Sequence, residues 1–246
     1  MALLARLKYP LALLGLSLTV LTSHAATNGS GQAATQTRPL SGFQAISMLG
    51  DIDVVVRQRG SEGVQVRADD NILPLVQTWV EGSADSRTLR IQYKPGESLR
   101  ARTKVVVTVD VMKLSAVASA GSGALTIEAL KTPVLALSLS GSSDAALLQV
   151  DVERLDISIA GSGEVRVSGR APKLDVSVAG SGDLRARDLA ADEVSVSIAG
   201  SGNVAVTAQK SLSVAIAGSG DVEYGGGGAL AQKSIVGSGS VRLRTH

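Results

Sequence analysis

Asp144, Glu164, Asp183, Asn203 and Asp221 recur at intervals of 20, 19, 20 and 18 residues. Each stands three positions after a glycine that opens a Gly-Ser turn, and Ala124 and Ser240 hold the same place at the two ends of the series. If the repeats stack, these side chains form a row with neighbours about 5 Å apart. Carboxylates that close repel, raise one another's pKa and are relieved by a hard cation such as Ca2+. The other reading is turn chemistry, in which Asp, Asn and Ser after Gly cap exposed backbone N–H groups. Turn chemistry is the favoured reading, because the glycine turns come once per coil of about 20 residues and not once per nine as in calcium-binding β-rolls. No metal, cofactor or catalytic residue is expected, and the acidic row is the one candidate for a cation.

The glycines themselves are Gly121, Gly141, Gly161, Gly180, Gly200, Gly218 and Gly237, six opening Gly-Ser-Gly and Gly141 opening Gly-Ser-Ser. A phosphate-binding loop needs a following helix N-terminus and a Lys-Ser/Thr pair, and neither follows these turns. They are expected to be structural corners, with Gly supplying a positive φ in every repeat. An enzyme would need paired carboxylates in a groove or a carboxylate–metal site. Acids such as Asp151, Glu153 and Asp156 and bases such as Arg166 and Arg185 are present, without an isolated aromatic-lined constellation. The two histidines are His24 and His246 and there is no cysteine, so a His triad or thiolate site is not expected. Trp79 and Tyr93 are expected in the N-terminal core, in preference to the alternative of sugar-binding platforms.

The elements that must hold these residues are short strands. In "LDVSV" (174–178) Leu174, Val176 and Val178 share one face and Asp175 and Ser177 the other. The same phase returns at Leu155/Ile157/Ile159, Val194/Val196/Ile198 and Leu212/Val214/Ile216. Period two within a unit and about 20 between units predicts a β-solenoid, in which like residues stack on like; an antiparallel meander has no need for constant phase. Counting one coil per corner predicts seven coils. From 38 to 113 the strands are irregular, with "ISMLGDIDVVV" (46–56) as a degenerate coil, and this part is expected to cap the regular repeats of 114–246. A short helical turn is expected near Ile72–Val76, broken by Pro74. Arg242 and Arg244 in the last strand are expected to guard an open edge.

The first 25 residues have the parts of a secretory signal: basic Arg6 and Lys8, an apolar run from Leu11 to Leu21, and Ser23-His24-Ala25 as a cleavage site. The run is too short to span a bilayer, so no transmembrane segment is expected after cleavage. Residues 26–37, rich in small polar types, are expected to be a flexible tether, and 38–246 a single domain. The chain has 24 basic and 22 acidic residues; without Arg6 and Lys8 the balance is 22 to 22, which argues against a nucleic-acid partner.

The order "GFQAISMLGDIDVVVRQ", "VQVRADDNILPLVQTWVEG", "LRIQY", "VVVTVDV" and then serial "AGSG" units resembles the auto-transporter adhesin head GIN domain family of exported bacterial proteins, over about Arg38 to His246. The resemblance implies an all-β, right-handed parallel β-helix-like solenoid and a periplasmic or cell-surface location, and it carries no catalytic motif. Nothing after the repeats suggests a translocator barrel, so self-translocation is not expected. The function expected is a non-enzymatic binding or adhesion module of the cell envelope, with an unknown protein or glycan partner. The alternatives are a polysaccharide lyase or glycosidase-like enzyme and a purely structural envelope protein.

Overall fold

The computed structural model describes residues 26–83 and 86–244; the expected leader 1–25 and His246 lie outside the described residues. The chain is a parallel β-solenoid of about six turns, roughly 20 residues apart. Counting one coil per repeat corner predicts seven, against the six or so turns observed, and the stack of corners itself runs on from Gly121 to Gly50.

Strand Lys173–Gly180 shows how a coil is built. Its Leu174, Val176 and Val178 point inward and are buried. Across each rung the pairing joins identical phases: Ile157 to Val176 below and Val176 to Val196 above, with Gly161, Gly180 and Gly200 also in register. A one-residue slip would turn every apolar side chain to solvent, so the hydrophobic pattern fixes the register. After each corner a second strand, such as Asp183–Gly200 in its first half, buries Leu184 and Ala186. A third inward row, including Leu130, Val150 and Leu189, closes the section. Each fully buried Val, Leu or Ile contributes about 1.5–3 kcal/mol, and the core is almost wholly of these types, which makes thin, evenly spaced layers possible with hardly any aromatic residue.

Among the seven repeat corners one departs from Gly-Ser-Gly, and the core explains it. At the third corner position a Cβ would meet the carbonyl oxygen of the corner below and also an inward side chain of that coil, as Gly202 would Gly182 and Val178, and Gly220 would Gly202 and Ile198. Ser143 occupies that position in the variant corner. The inward residue it meets is Ser119, which stands where the other coils have Leu139, Ile159 or Val178. The two hydroxyls are buried and hydrogen-bonded at 2.9 Å. The small polar partner makes room for the extra side chain and satisfies its hydroxyl.

In the N-terminal part, spatial order departs from chain order. Strands Thr88–Tyr93 and Val106–Val111 form the outermost parallel layer. Ala45–Gly50 and Asp53–Gln58 lie upon it, and Ala116–Gly121 and Ala124–Ile127 continue the stack. Antiparallel strands then close this end: Val76–Glu81 on Thr88–Tyr93, and Gly63–Asp69 on Val106–Val111. The short helical turn is a 3-10 turn, Leu73–Leu75, with Pro74 near its start.

The segment expected as a flexible tether is ordered. Thr27–Asn28 pairs in parallel with Leu99–Arg100, and Ala33–Arg38 pairs antiparallel with Gly63–Asp69. Its polar composition misled because the strand is mostly exposed and is held by backbone bonds and by the side chains of Asp69, Asp70 and Asn71. Of these Asp69 is fully buried. Its carboxylate accepts from the backbone N–H groups of Gly31 (3.0 Å), Arg102 (2.7 Å) and Thr103 (3.2 Å). Burial alone would raise its pKa; the hydrogen bonds from Thr103, Arg102 and Gly31 outweigh this and hold it below the usual carboxylate range.

Candidate functional site

Gly200 stands for the corners. Its φ is +138°, and a Cβ there would overlap the carbonyl oxygen of Gly180 in the coil below. That carbonyl accepts instead from the Ser201 N–H at 2.8 Å, and Ser181, Ser219 and Ser238 repeat the bond one coil apart, each at 2.9 Å. The corners are thus a hydrogen-bonded stack of backbone, and their closeness sets the strands that leave them in exact register.

Beside the corners runs the acidic row. The carboxylate oxygens of Asp53, Asp144, Asp183 and Asp221 accept from the backbone N–H groups of Ala124 (3.0 Å), Glu164 (2.8 Å), Asn203 (2.8 Å) and Ser240 (2.9 Å). A carboxylate therefore caps the N–H of the next coil at every second coil. Asp53 belongs to this row through the stacking of the N-terminal coil, which the 20-residue spacing alone could not reveal. Glu164 turns aside to Arg166 (2.9 Å) and Arg185 (3.0 Å). Among the described residues no three His, Cys, Asp or Glu side chains converge as a metal site would require. The Asp221 carboxyl is held below its ordinary range, chiefly by the Ser240 hydroxyl, with burial opposing and the Ser240 N–H and Arg242 adding to it. Because Asp183 also accepts from the Asn203 side-chain amide (3.0 Å), Asp183→Asn keeps an acceptor and is expected to be nearly neutral. Asp183→Ala loses it and is expected to cost about 1–2 kcal/mol, both read from urea midpoints.

The acids and bases considered for catalysis are scattered along the rod. Asp151 pairs with Lys131 (2.7 Å), and Arg154 bridges Asp156 and Asp175 (both 2.8 Å). These are exposed bridges between neighbouring coils, each worth little energetically. Arg185, Arg187, Arg242 and Arg244 border an open trough of about 670 Å³ together with Asp183, Asp221 and Glu223. Arg187 is tied to Glu223 at 3.2 Å.

The most continuous surface is the outer side of the strands that precede the corners. One row runs Ser47, Ala118, Ser138, Ser158, Ser177, Ser197 and Ala215; the next runs Leu49, Ala120, Ser140, Ala160, Ala179, Ala199 and Ala217. A third carries Ala116, Ala136, Asp156, Asp175, Ser195 and Ser213. Stacking makes these rows flat, because every step repeats a side chain of nearly equal height. At the capped end the middle row continues through Arg90 to Trp79. Trp79, expected in the core, is instead on this outer face and partly exposed. Its strand position faces outward with Gln77, while Thr78 and Val80 face inward. Tyr93 does pack against the core, and its hydroxyl donates to the Asp51 carbonyl at 2.7 Å.

Residues 42–228 match the family model described as "Putative auto-transporter adhesin, head GIN domain". A crystal structure of a putative adhesin from Bacteroides fragilis superposes with a TM-score of 0.81 at 24% identity, covering 89% of this chain and 100% of that one. A putative adhesin from Parabacteroides merdae gives 0.70 at 26% identity, covering 89% and 99%. A protein from Parabacteroides distasonis described as a putative lipid binding protein gives 0.74 at 26% identity, covering 90% and 100%. No curated protein is matched.

Proposed function

Because the chain belongs to the head GIN domain family of putative auto-transporter adhesins, we propose that it is an exported, non-enzymatic binding module of the bacterial cell envelope, with its flat Ser/Ala face as the contact surface. The observation that carries this is the face itself: two registered rows almost wholly of Ser and Ala, held level by a stacked backbone and flanked by a third row that includes Asp156 and Asp175. Such a surface offers shape and hydroxyl hydrogen bonds with little side-chain entropy to lose on contact. The leader-like first 25 residues support export, and the absence of cysteine suits a rigid fold that needs no disulfide framework in an oxidising compartment.

The rival reading is a carbohydrate-active enzyme. Purified chain is to be incubated with acidic and neutral polysaccharides and glycoproteins, immobilised for retention and free for product analysis. The expected result is saturable retention on at least one of them with no new reducing ends or unsaturated products. Turnover that disappears in Asp156→Asn would establish the enzyme and overturn the proposal.

A further inference from the structure

The capped end of the rod carries the chain's single tryptophan in a place that core packing does not explain. Trp79 is on strand Val76–Glu81, whose only strand partner among the described residues is Thr88–Tyr93. Its indole Nε1 donates to Glu81 at 2.9 Å, so the ring is held in orientation by its own strand. Arg90, directly across from it, is spent on Glu81 (2.6 Å) and on the Ser47 hydroxyl (2.7 Å). The side-chain pair next to it in register is Gln77 with Gln92, two amides with donors and acceptors both available.

These groups line an open depression of about 550 Å³ that wraps the strand edge, from Trp79, Gln77 and Gln92 on one side to Arg38, Pro74 and Thr78 on the other. Two polar atoms at this depression, Arg38 Nε and Thr78 Oγ1, are buried without a hydrogen-bond partner. The terminal nitrogen of Arg38 donates to the Leu73 and Val76 carbonyls at 3.3 and 3.4 Å. The other such atom among the described residues is Glu164 Oε1, which lies within ion-pair reach of Arg166 and Arg185.

We propose that this end is a glycan-binding subsite, in which a neutral pyranose ring lies on the face of Trp79 with its hydroxyls hydrogen-bonded to Gln77 and Gln92. This rests on the reading of the chain as a binding module and names the ligand class for it. The indole offers a flat, electron-rich surface to the C–H bonds of a sugar, and the amides match hydroxyls as both donors and acceptors. The guanidinium across from the ring is already paired, which favours an uncharged sugar over a uronate or sulfate. The Ser/Ala rows lead away from Trp79 along the middle of the same face, so a chain seated at the ring would continue over them.

The single tryptophan makes the test direct. Emission is to be followed while the purified chain is titrated with cello-, malto-, xylo- and chitohexaose, with a heparin hexasaccharide as the charged comparison. At least one neutral hexaose is expected to give a saturable change that is insensitive to salt. By calorimetry, Gln92→Ala is expected to weaken that binding about tenfold, Trp79→Phe to retain part of it, and Trp79→Ala to abolish it with the circular dichroism spectrum unchanged. Equal affinity in Trp79→Ala, or response only to heparin with steep salt dependence, overturns the inference. So does the absence of any oligosaccharide response while Trp79→Ala is still retained on an immobilised glycoprotein, and that outcome leaves the binding-module reading standing. Loss of all retention by the parent chain defeats both.

Discussion

Gly200→Ala is expected to destabilise the chain by on the order of 3–5 kcal/mol, a large share of the roughly 5–15 kcal/mol that holds a domain together. Two costs combine. At φ +138° any Cβ is strained, and here the Cβ also falls on the Gly180 carbonyl oxygen, whose backbone is fixed by the coil beneath. A flexible side chain could move aside; a stacked peptide cannot without breaking the rung that Ser201 makes with it. Two other glycines separate these costs. Gly60 has φ +69° with nothing within 4 Å, so Gly60→Ala is expected to lose only the conformational term of about 1–2 kcal/mol. Gly63 has neither a positive φ nor a close neighbour, and Gly63→Ala is expected to be neutral or to stabilise by up to about 1 kcal/mol. Urea midpoints in the order Gly63→Ala, Gly60→Ala, Gly200→Ala would separate strain from stacking. A Gly200→Ala midpoint equal to that of Gly60→Ala would show that the corners are not close-packed.

Asp69→Ala is expected to open the capped end. Removing the carboxylate takes away the acceptor shared by the N–H groups of Gly31, Arg102 and Thr103 and frees the turn that leads into Ala33–Arg38. Amide exchange should rise throughout 27–38 and 99–103, while the coils from 155 to 218 stay protected, because a solenoid couples mainly neighbouring layers. The melting temperature of the first transition should fall by roughly 5 °C or more. The pH dependence has a definite sign. The folded pKa of Asp69 lies below its unfolded value, so its contribution is complete above about pH 4 and is lost as pH falls through the lowered value. Asp69→Asn should remove that acid-range loss of cap stability. Unchanged exchange at 27–38 in Asp69→Ala would show that strand pairing alone holds the segment.

What was readable in the sequence follows from what repeats. The inward Leu, Val and Ile of 155–159, 174–178, 194–198 and 212–216 recur at constant phase, and constant phase requires stacking, so the solenoid could be derived before any coordinate. The N-terminal end could not, because its contacts are made once. Nothing in "AATQTR" marks a strand: it has no apolar face, and its order comes from Gly63–Asp69 and from a carboxylate more than 30 positions away. The insertion of Ala45–Gln58 between Thr88–Val111 and Ala116–Ile127 likewise leaves no periodic trace. Trp79 was misplaced for a related reason. Large aromatics are usually core residues, and only the pairing of its strand with Thr88–Tyr93 shows that it faces outward beside Arg90. The acidic row was visible as a spacing, but its capping of alternate coils depends on which carboxylates turn toward the corner, and Glu164 is drawn away by two arginines.

The flat face as contact surface can be tested by charging it without disturbing the core. Ser138 and Ser197 are exposed, stand in the same row and are separated by two rungs, so Ser138→Lys with Ser197→Lys avoids direct like-charge contact. Thr126→Lys, on the strand after a corner, serves as the comparison. The measurement is equilibrium retention of each variant on the polysaccharide or glycoprotein that holds the parent chain. A loss of at least tenfold in the Ser138/Ser197 variant, with Thr126→Lys and both melting temperatures close to the parent, is the expected result. Retention unchanged in the doubly charged variant would contradict the assignment of this face.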